Sequence, residues 1–121
     1  NIFKIETKQS IKEFNKIIIE GNNFLIDRGD LSKDISVYKI PETQRKLIKI
    51  KNNYKNKKIF IATNLLESMI YNNYPTRAEA NDIYSCIEMG ADGLVLAAET
   101  AIGKNPIECI KFIKEMINQF K

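Results

Sequence analysis

No histidine occurs anywhere in the 121 residues. Its absence excludes imidazole acid–base catalysis, the Ser-His-Asp triad and His-ligated zinc. Any chemistry therefore has to run through Lys, Asp, Glu, Thr, Ser or a hard metal ion. Cysteine is nearly absent: Cys86 and Cys109 form neither a CxxC pair nor a disulfide framework, the usage of a reducing compartment. Both fall in expected helices, where a thiol serves as a small packing residue. No apolar run approaches the roughly 20 residues of a membrane span, and no signal peptide is recognisable at the start. The expectation is a soluble, cytoplasmic protein without a membrane partner. Charge of one sign is lacking too. Nineteen Lys and Arg against fifteen Asp and Glu leave +4, too little and too dispersed for a nucleic-acid partner, while phosphorylated or carboxylated small molecules stay open as ligands.

What is present is a set of short apolar segments alternating with amphipathic ones, in a length that suits one compact unit, residues 1–121. Ile2 to Glu6 reads as the end of a strand. Ser10 with Glu13 has the spacing of a capping box ahead of Ile11, Phe14, Ile17 and Ile18, which share one helix face. Phe24 to Asp27 is a second strand, followed by a turn at Arg28, Gly29 and Asp30. Pro41 suits a first helical residue, with Leu47, Ile50 and Tyr54 at helical spacing and Asn52, Asn53 and Asn56 as a stop. Ile59 to Thr63 is a third strand, and a short helical turn is expected over Leu65 to Ile70. Thr76 and Glu79 make a capping box that leads through Ile83 and Ile87 to a stop at Gly90. Gly93 to Ala97 is the fourth strand. Asn105, Pro106 and Glu108 open a last helix with Ile110, Ile113, Ile117 and Phe120 on one face.

The fold class is thus α/β, with four consecutive strand–helix units. An eight-fold barrel needs about 250 residues, so this is the arithmetic of half a TIM (βα)8 barrel. Four units alone leave open sheet edges and an uncovered face. Either the remainder of the same barrel or self-association into a homo-oligomer is expected to cover them.

In such barrels the chemistry sits at the carboxyl ends of the strands and in the loops that follow. Lys4 and Glu6, two apart in a strand, point to the same face. Asp30 closes the second unit, Thr63 the third, and Glu99 with Thr100 the fourth. Carboxylates, a lysine and hydroxyls suit magnesium or manganese, which take oxygen ligands and keep waters for a substrate to displace. Plainer readings stand beside these. Lys4 and Glu6 also describe an ordinary strand-end ion pair. Arg28, Gly29 and Asp30 spell an adhesion tripeptide, but their place after an apolar strand makes them a barrel turn. The lysines from Lys49 to Lys58 read as a solvated helix end rather than a phosphate-backbone patch. Glu67 and Ser68 read as braces of the loop after the third strand, and Arg77 as a loop or subunit anchor.

Six strings appear in order along the chain: KIE at Lys4–Glu6, RGDL at Arg28–Leu31, AT at Ala62–Thr63, LLESM at Leu65–Met69, PTRAE at Pro75–Glu79 and ETAIGKNP at Glu99–Pro106. Together they resemble the second half of the catalytic barrel of the pyruvate kinase family, from the end of its fifth strand through its eighth helix. The resemblance implies magnesium-dependent phosphoryl transfer between phosphoenolpyruvate and ADP, giving pyruvate and ATP. It further implies that Glu6 and Asp30 hold the divalent cation and that Lys4 neutralises charge on the moving phosphoryl group. By the same resemblance, Thr63 is expected beside the substrate carboxylate and the carbon that is protonated, and backbone amides around Arg28, Gly29 and Asp30 are expected to cradle that carboxylate. The nucleotide and monovalent-cation contacts, the lid and the C-terminal regulatory domain of the family belong to segments outside these residues, so the chain by itself is expected to bind at most, not to turn over.

The chain departs from the family pattern at six positions. Asp27 stands where alanine usually precedes RGD, and Ala97 and Ala98 turn the family's LSGETA into LAAETA, removing a serine connected with proton delivery. Asn64, Thr7 and Ser32 replace glutamine, asparagine and glycine. Two other readings stand beside phosphoryl transfer: a non-catalytic binding or scaffold domain with a decayed site, motivated by Ala97, Ala98 and Asp27, and a metal-dependent lyase or aldolase acting on a pyruvate enolate, which the same acids and metal would stabilise.

Overall fold

The computed structural model describes residues 1–121. Four strands, β1 (Phe3–Ile5), β2 (Asn23–Asp27), β3 (Lys58–Ala62) and β4 (Gly93–Val95), form one parallel sheet in sequence order. Ile5, Ile26, Ile61 and Leu94 stand in register across it. The first three are fully buried, as are Phe24 and Ile59 one pleat repeat earlier. Each such side chain contributes about 1.5–3 kcal/mol when removed from water, which fixes the register, because a slip of one residue would turn this row outward. The opposite sheet face carries Lys4, Leu25, Phe60 and Val95, exposed or only half-buried. Gly93 is required there: a Cβ would stand 2.6 Å from the Phe60 ring.

Helices α1 (Lys8–Lys12), α2 (Phe14–Glu20), α3 (Arg28–Asp34), α4 (Ile40–Lys51), α5 (Arg77–Met89), α6 (Ala98–Ala101) and α7 (Pro106–Phe120) alternate with the strands. Phe14, Ile18, Leu31, Leu47, Ile48, Ile83, Cys86 and Cys109 close the core against the sheet. A 3-10 turn, Glu67–Ile70, follows β3 as expected. Thr76 and Glu79 form their reciprocal capping box, and Gly90 ends α5 at φ 107°, a left-handed conformation open to glycine at little cost. No helix is long and apolar enough to cross a membrane.

Several local expectations need correction. The first capping box is Thr7 with Ser10, not Ser10 with Glu13: Thr7 Oγ1 accepts the Ser10 amide at 3.0 Å, and Ser10 Oγ accepts the Thr7 amide at 3.1 Å. Two hydroxyls cap the helix one turn earlier than the Ser–Glu spacing promised, satisfying the Thr7 and Ser10 amides. Arg28, Gly29 and Asp30 open helix α3 rather than making a turn, because the Asp27 carboxylate caps them. Pro41 is the second residue of α4, and Tyr54 lies beyond its end. β4 stops at Val95, two residues short of the expected end. Asn105 precedes α7 without a side-chain cap and instead donates to the Asn72 carbonyl at 3.0 Å. Within the lysine run, Lys51 is not solvated: it is 6% exposed, pairs with Asp92 at 2.8 Å and donates to the Gly90 carbonyl at 3.0 Å. Asp92, itself exposed, also accepts the Ile59 amide, so this pair ties α4 to the start of β3.

Candidate active site

Parallel pairing of Ile5 with Ile26 brings Glu6, one residue on, beside Asp27 at the carboxyl end of β2. Because α3 starts at once, Asp30 falls one helical turn further and returns to the same place. One carboxylate oxygen from each of Glu6, Asp27 and Asp30 lies within 4.8 Å of the others. Lys4, on the sheet face that also carries Asp27, reaches over them, with Nζ 3.3 Å from Glu6 Oε2 and 3.6 Å from Asp27 Oδ2. Contact with Glu6, then the charges of Glu6 and Asp27, hold the Lys4 ammonium above its ordinary value. Hydrogen bonding with Glu6 and then Asp27, against the opposing effect of burial, holds the Asp30 carboxyl below its own. Lys33 adds a distant, largely exposed partner to Asp30 at 3.5 Å.

Thr63 follows β3 in the left-handed region at φ 72°, and Asn64 comes next at 58°. For a β-branched residue this backbone is costly and persists only where its surroundings fix it. They do. Thr63 Oγ1 accepts the Gly29 amide at 2.7 Å, and its single proton is shared between the Ala62 carbonyl at 2.6 Å and Asp27 Oδ1 at 3.3 Å, the nearer acceptor taking the larger share. The Arg28 guanidinium donates twice to the Thr63 carbonyl, at 2.9 and 3.3 Å, and pairs with Asp82 of α5 at 2.8 Å. Arg28 thus spends its side chain on holding the turn that carries Thr63. The Gly29 amide is satisfied by Thr63 and the Asp30 amide by Asp27 Oδ1 at 3.1 Å.

Glu99 takes no part in this cluster. It is 2% exposed and accepts the Leu66 amide at 3.0 Å and the Ala97 amide at 2.9 Å. Burial would raise its carboxyl, but these backbone donors outweigh burial and hold it below the ordinary range. Glu79 behaves similarly, braced by Ser68 and Thr76. A cavity of about 160 Å3 lies between Thr63, Asn64 and Glu67 on one side and Ala97, Ala98 and Glu99 on the other. The two thiols are buried and unpaired, and burial pushes Cys86 up to about 11, which leaves it inert.

Lys4, Glu6, Asp30 and Thr63 are therefore brought together, with Arg28 and Gly29 beneath them. Asp27 is the member that sequence reasoning treated only as a departure from a pattern. The signal for it was its position: last residue of a strand, three before Asp30, on the face of Lys4. The group fits a hard divalent cation. Glu6 Oε2 is sealed from solvent yet has no aligned hydrogen-bond donor, only the Lys4 charge beside it, and three convergent carboxylate oxygens are the donor set such ions take.

Comparisons with known proteins identify the family to which this sheet and its loops belong. The family described as pyruvate kinase, barrel domain, matches residues 1–110. Pyruvate kinase from Thermotoga maritima is 42% identical over 98% of this chain and 25% of its own length. That from Methanocaldococcus jannaschii is 43% identical over 95% and 26%, and pyruvate kinase 1 of Saccharomyces cerevisiae 40% identical over 94% and 23%. The chain thus spans about a quarter of the length of these relatives. Six ordered motifs, a parallel sheet built as one side of a barrel, and matches of this extent show that the chain belongs to the pyruvate kinase family, as part of its barrel domain.

Proposed function

We propose that these residues are the cation- and enolate-holding portion of a phosphotransferase that moves a phosphoryl group between phosphoenolpyruvate and ADP. The observation that carries the reading is the convergence of Glu6 and Asp30 under the Lys4 ammonium at the carboxyl end of the sheet. Phosphoryl transfer asks a protein mainly for positioning and charge compensation. Lys4, held firmly protonated, supplies a positive charge for phosphoryl oxygens. Glu6 and Asp30 would hold magnesium or manganese, whose positive charge would offset the negative charge that phosphoryl transfer gathers at this place. Thr63 is fixed by its turn and by the Gly29 amide, and in this reading its hydroxyl lies beside the enolate carbon. In this reading residues 1–121 are a single unit, the second half of the barrel. The remainder of the barrel or a homo-oligomeric neighbour covers the sheet face of Leu25 and Phe60, and the nucleotide and any monovalent cation are contacted by segments outside this chain. The fragment alone binds without turning over, and the natural protein acts in the cytoplasm.

The test is pyruvate release from phosphoenolpyruvate by the natural protein that carries these residues, with magnesium, with and without ADP. The expected result is ADP-dependent release that Lys4→Met lowers by about 100-fold or more. Release without nucleotide, or from a 2-oxo acid, would point to an enolate lyase. Full biological activity in Lys4→Met would make the site a binding module.

A further inference from the structure

Asp27 places a carboxylate of the chain itself on the donors that an incoming carboxylate needs. Its Oδ1 accepts the Asp30 amide at 3.1 Å and lies 3.3 Å from the Thr63 hydroxyl, while Oδ2 pairs with Lys4 at 3.6 Å. With 8% of its surface exposed, it is not a solvated bystander. The charges make the same point. Three carboxylates face one ammonium, because Arg28 is committed to Asp82 and Lys33 is 80% exposed and screened. A divalent cation alone brings the cluster to neutrality, so an anionic ligand adds uncompensated negative charge where, with an apolar residue at position 27, it would restore balance.

We infer that Asp27 is a specificity-determining residue, an internal competitor that raises the concentration of carboxylate ligand needed to fill the site. The inference rests on the cation-site reading above. A ligand carboxylate has to displace Asp27 from the Asp30 amide before it can occupy that donor, and it meets the Asp27 charge beside it. Asp27 then either swings away or adds its oxygen to the cation, and in both cases its attachment to α3 is lost. The cost is specific to ligands that bring a carboxylate. A cation with only water or a neutral oxygen ligand leaves Asp27 in place.

The experiment is a titration of manganese, followed by oxalate in the presence of saturating manganese, on the natural protein and its Asp27→Ala and Asp27→Asn variants. Asparagine keeps the helix cap and removes the charge, so it guards against loss of folding in the alanine variant. Both variants are expected to bind manganese several-fold more weakly, and the metal-loaded variants to bind oxalate about tenfold or more tightly than the natural protein. Manganese binding with unchanged or weaker oxalate affinity in Asp27→Asn overturns the role of Asp27 while leaving the cation site standing. No manganese binding by the natural protein overturns both.

Discussion

Two carboxylates stand at the same end of the same sheet and have opposite fates. Glu99, after β4, turns into the protein and is saturated by the Leu66 and Ala97 amides. Glu6, after β1, is sealed at one oxygen without an aligned donor and crowded by Asp27 and Asp30. One carboxylate is a strut and the other, in the proposed reading, a ligand for a cation. The residue type does not decide which; the supply of amide donors does. The loop between β3 and α5 delivers an amide to Glu99, whereas the amides at the start of α3 are already taken by Asp27 and Thr63.

Removing the strut should be the larger structural insult. Glu99→Ala leaves two backbone amides without their acceptor, a loss of about 3 kcal/mol, to be read as a lowered denaturation midpoint with manganese binding retained. Arg28→Met, on the other side, leaves the Thr63 carbonyl and Asp82 unpartnered and should cost about 2 kcal/mol. Unlike Glu99→Ala, it should also weaken ligand binding at the site, because it frees the strained Thr63 turn.

The pH dependence sharpens the contrast further. Glu99 and Glu79 are both held below the ordinary value of 4.5 in the folded chain. The unfolded chain therefore takes up protons first, so their stabilisation is complete above about pH 4.5 and drains away as pH falls through the lower folded values. Denaturation midpoints measured from about pH 6 down to pH 3 should show this decline, and Glu99→Gln should flatten it. Lys33→Ala marks the small end: an exposed i,i+3 partner of Asp30, it should change stability by no more than about 0.5 kcal/mol in the same midpoint assay.

How much of this was legible in the sequence differs between the same two regions. The alternation of strands and helices, the capping box at Thr76 and the stop at Gly90 are local signals, and local physics decides them. That Lys4, Glu6, Asp30 and Thr63 lie at one end of the sheet was legible because strand ends mark them. What escaped depends on pairing at a distance. Asp27 becomes part of the cluster only through the register of Ile5 on Ile26, and Arg28 finds Asp82 only once α5 has packed. Glu99, expected among the polar strand ends, is buried because amides from two separate segments meet it. Lys51 lies within a run that reads as solvent-facing until Asp92 is brought beneath it. A sequence states which groups are present, but their remaining partners are settled by contacts that close late.

Direct manganese titration of the natural protein, of Asp30→Ala and of Glu99→Gln tests the central claim most simply. The account predicts a single cation bound by the natural protein and by Glu99→Gln alike, and a loss of about 100-fold or more in Asp30→Ala with its fold intact. Equal binding by Asp30→Ala and the natural protein, or loss in Glu99→Gln alone, would contradict it.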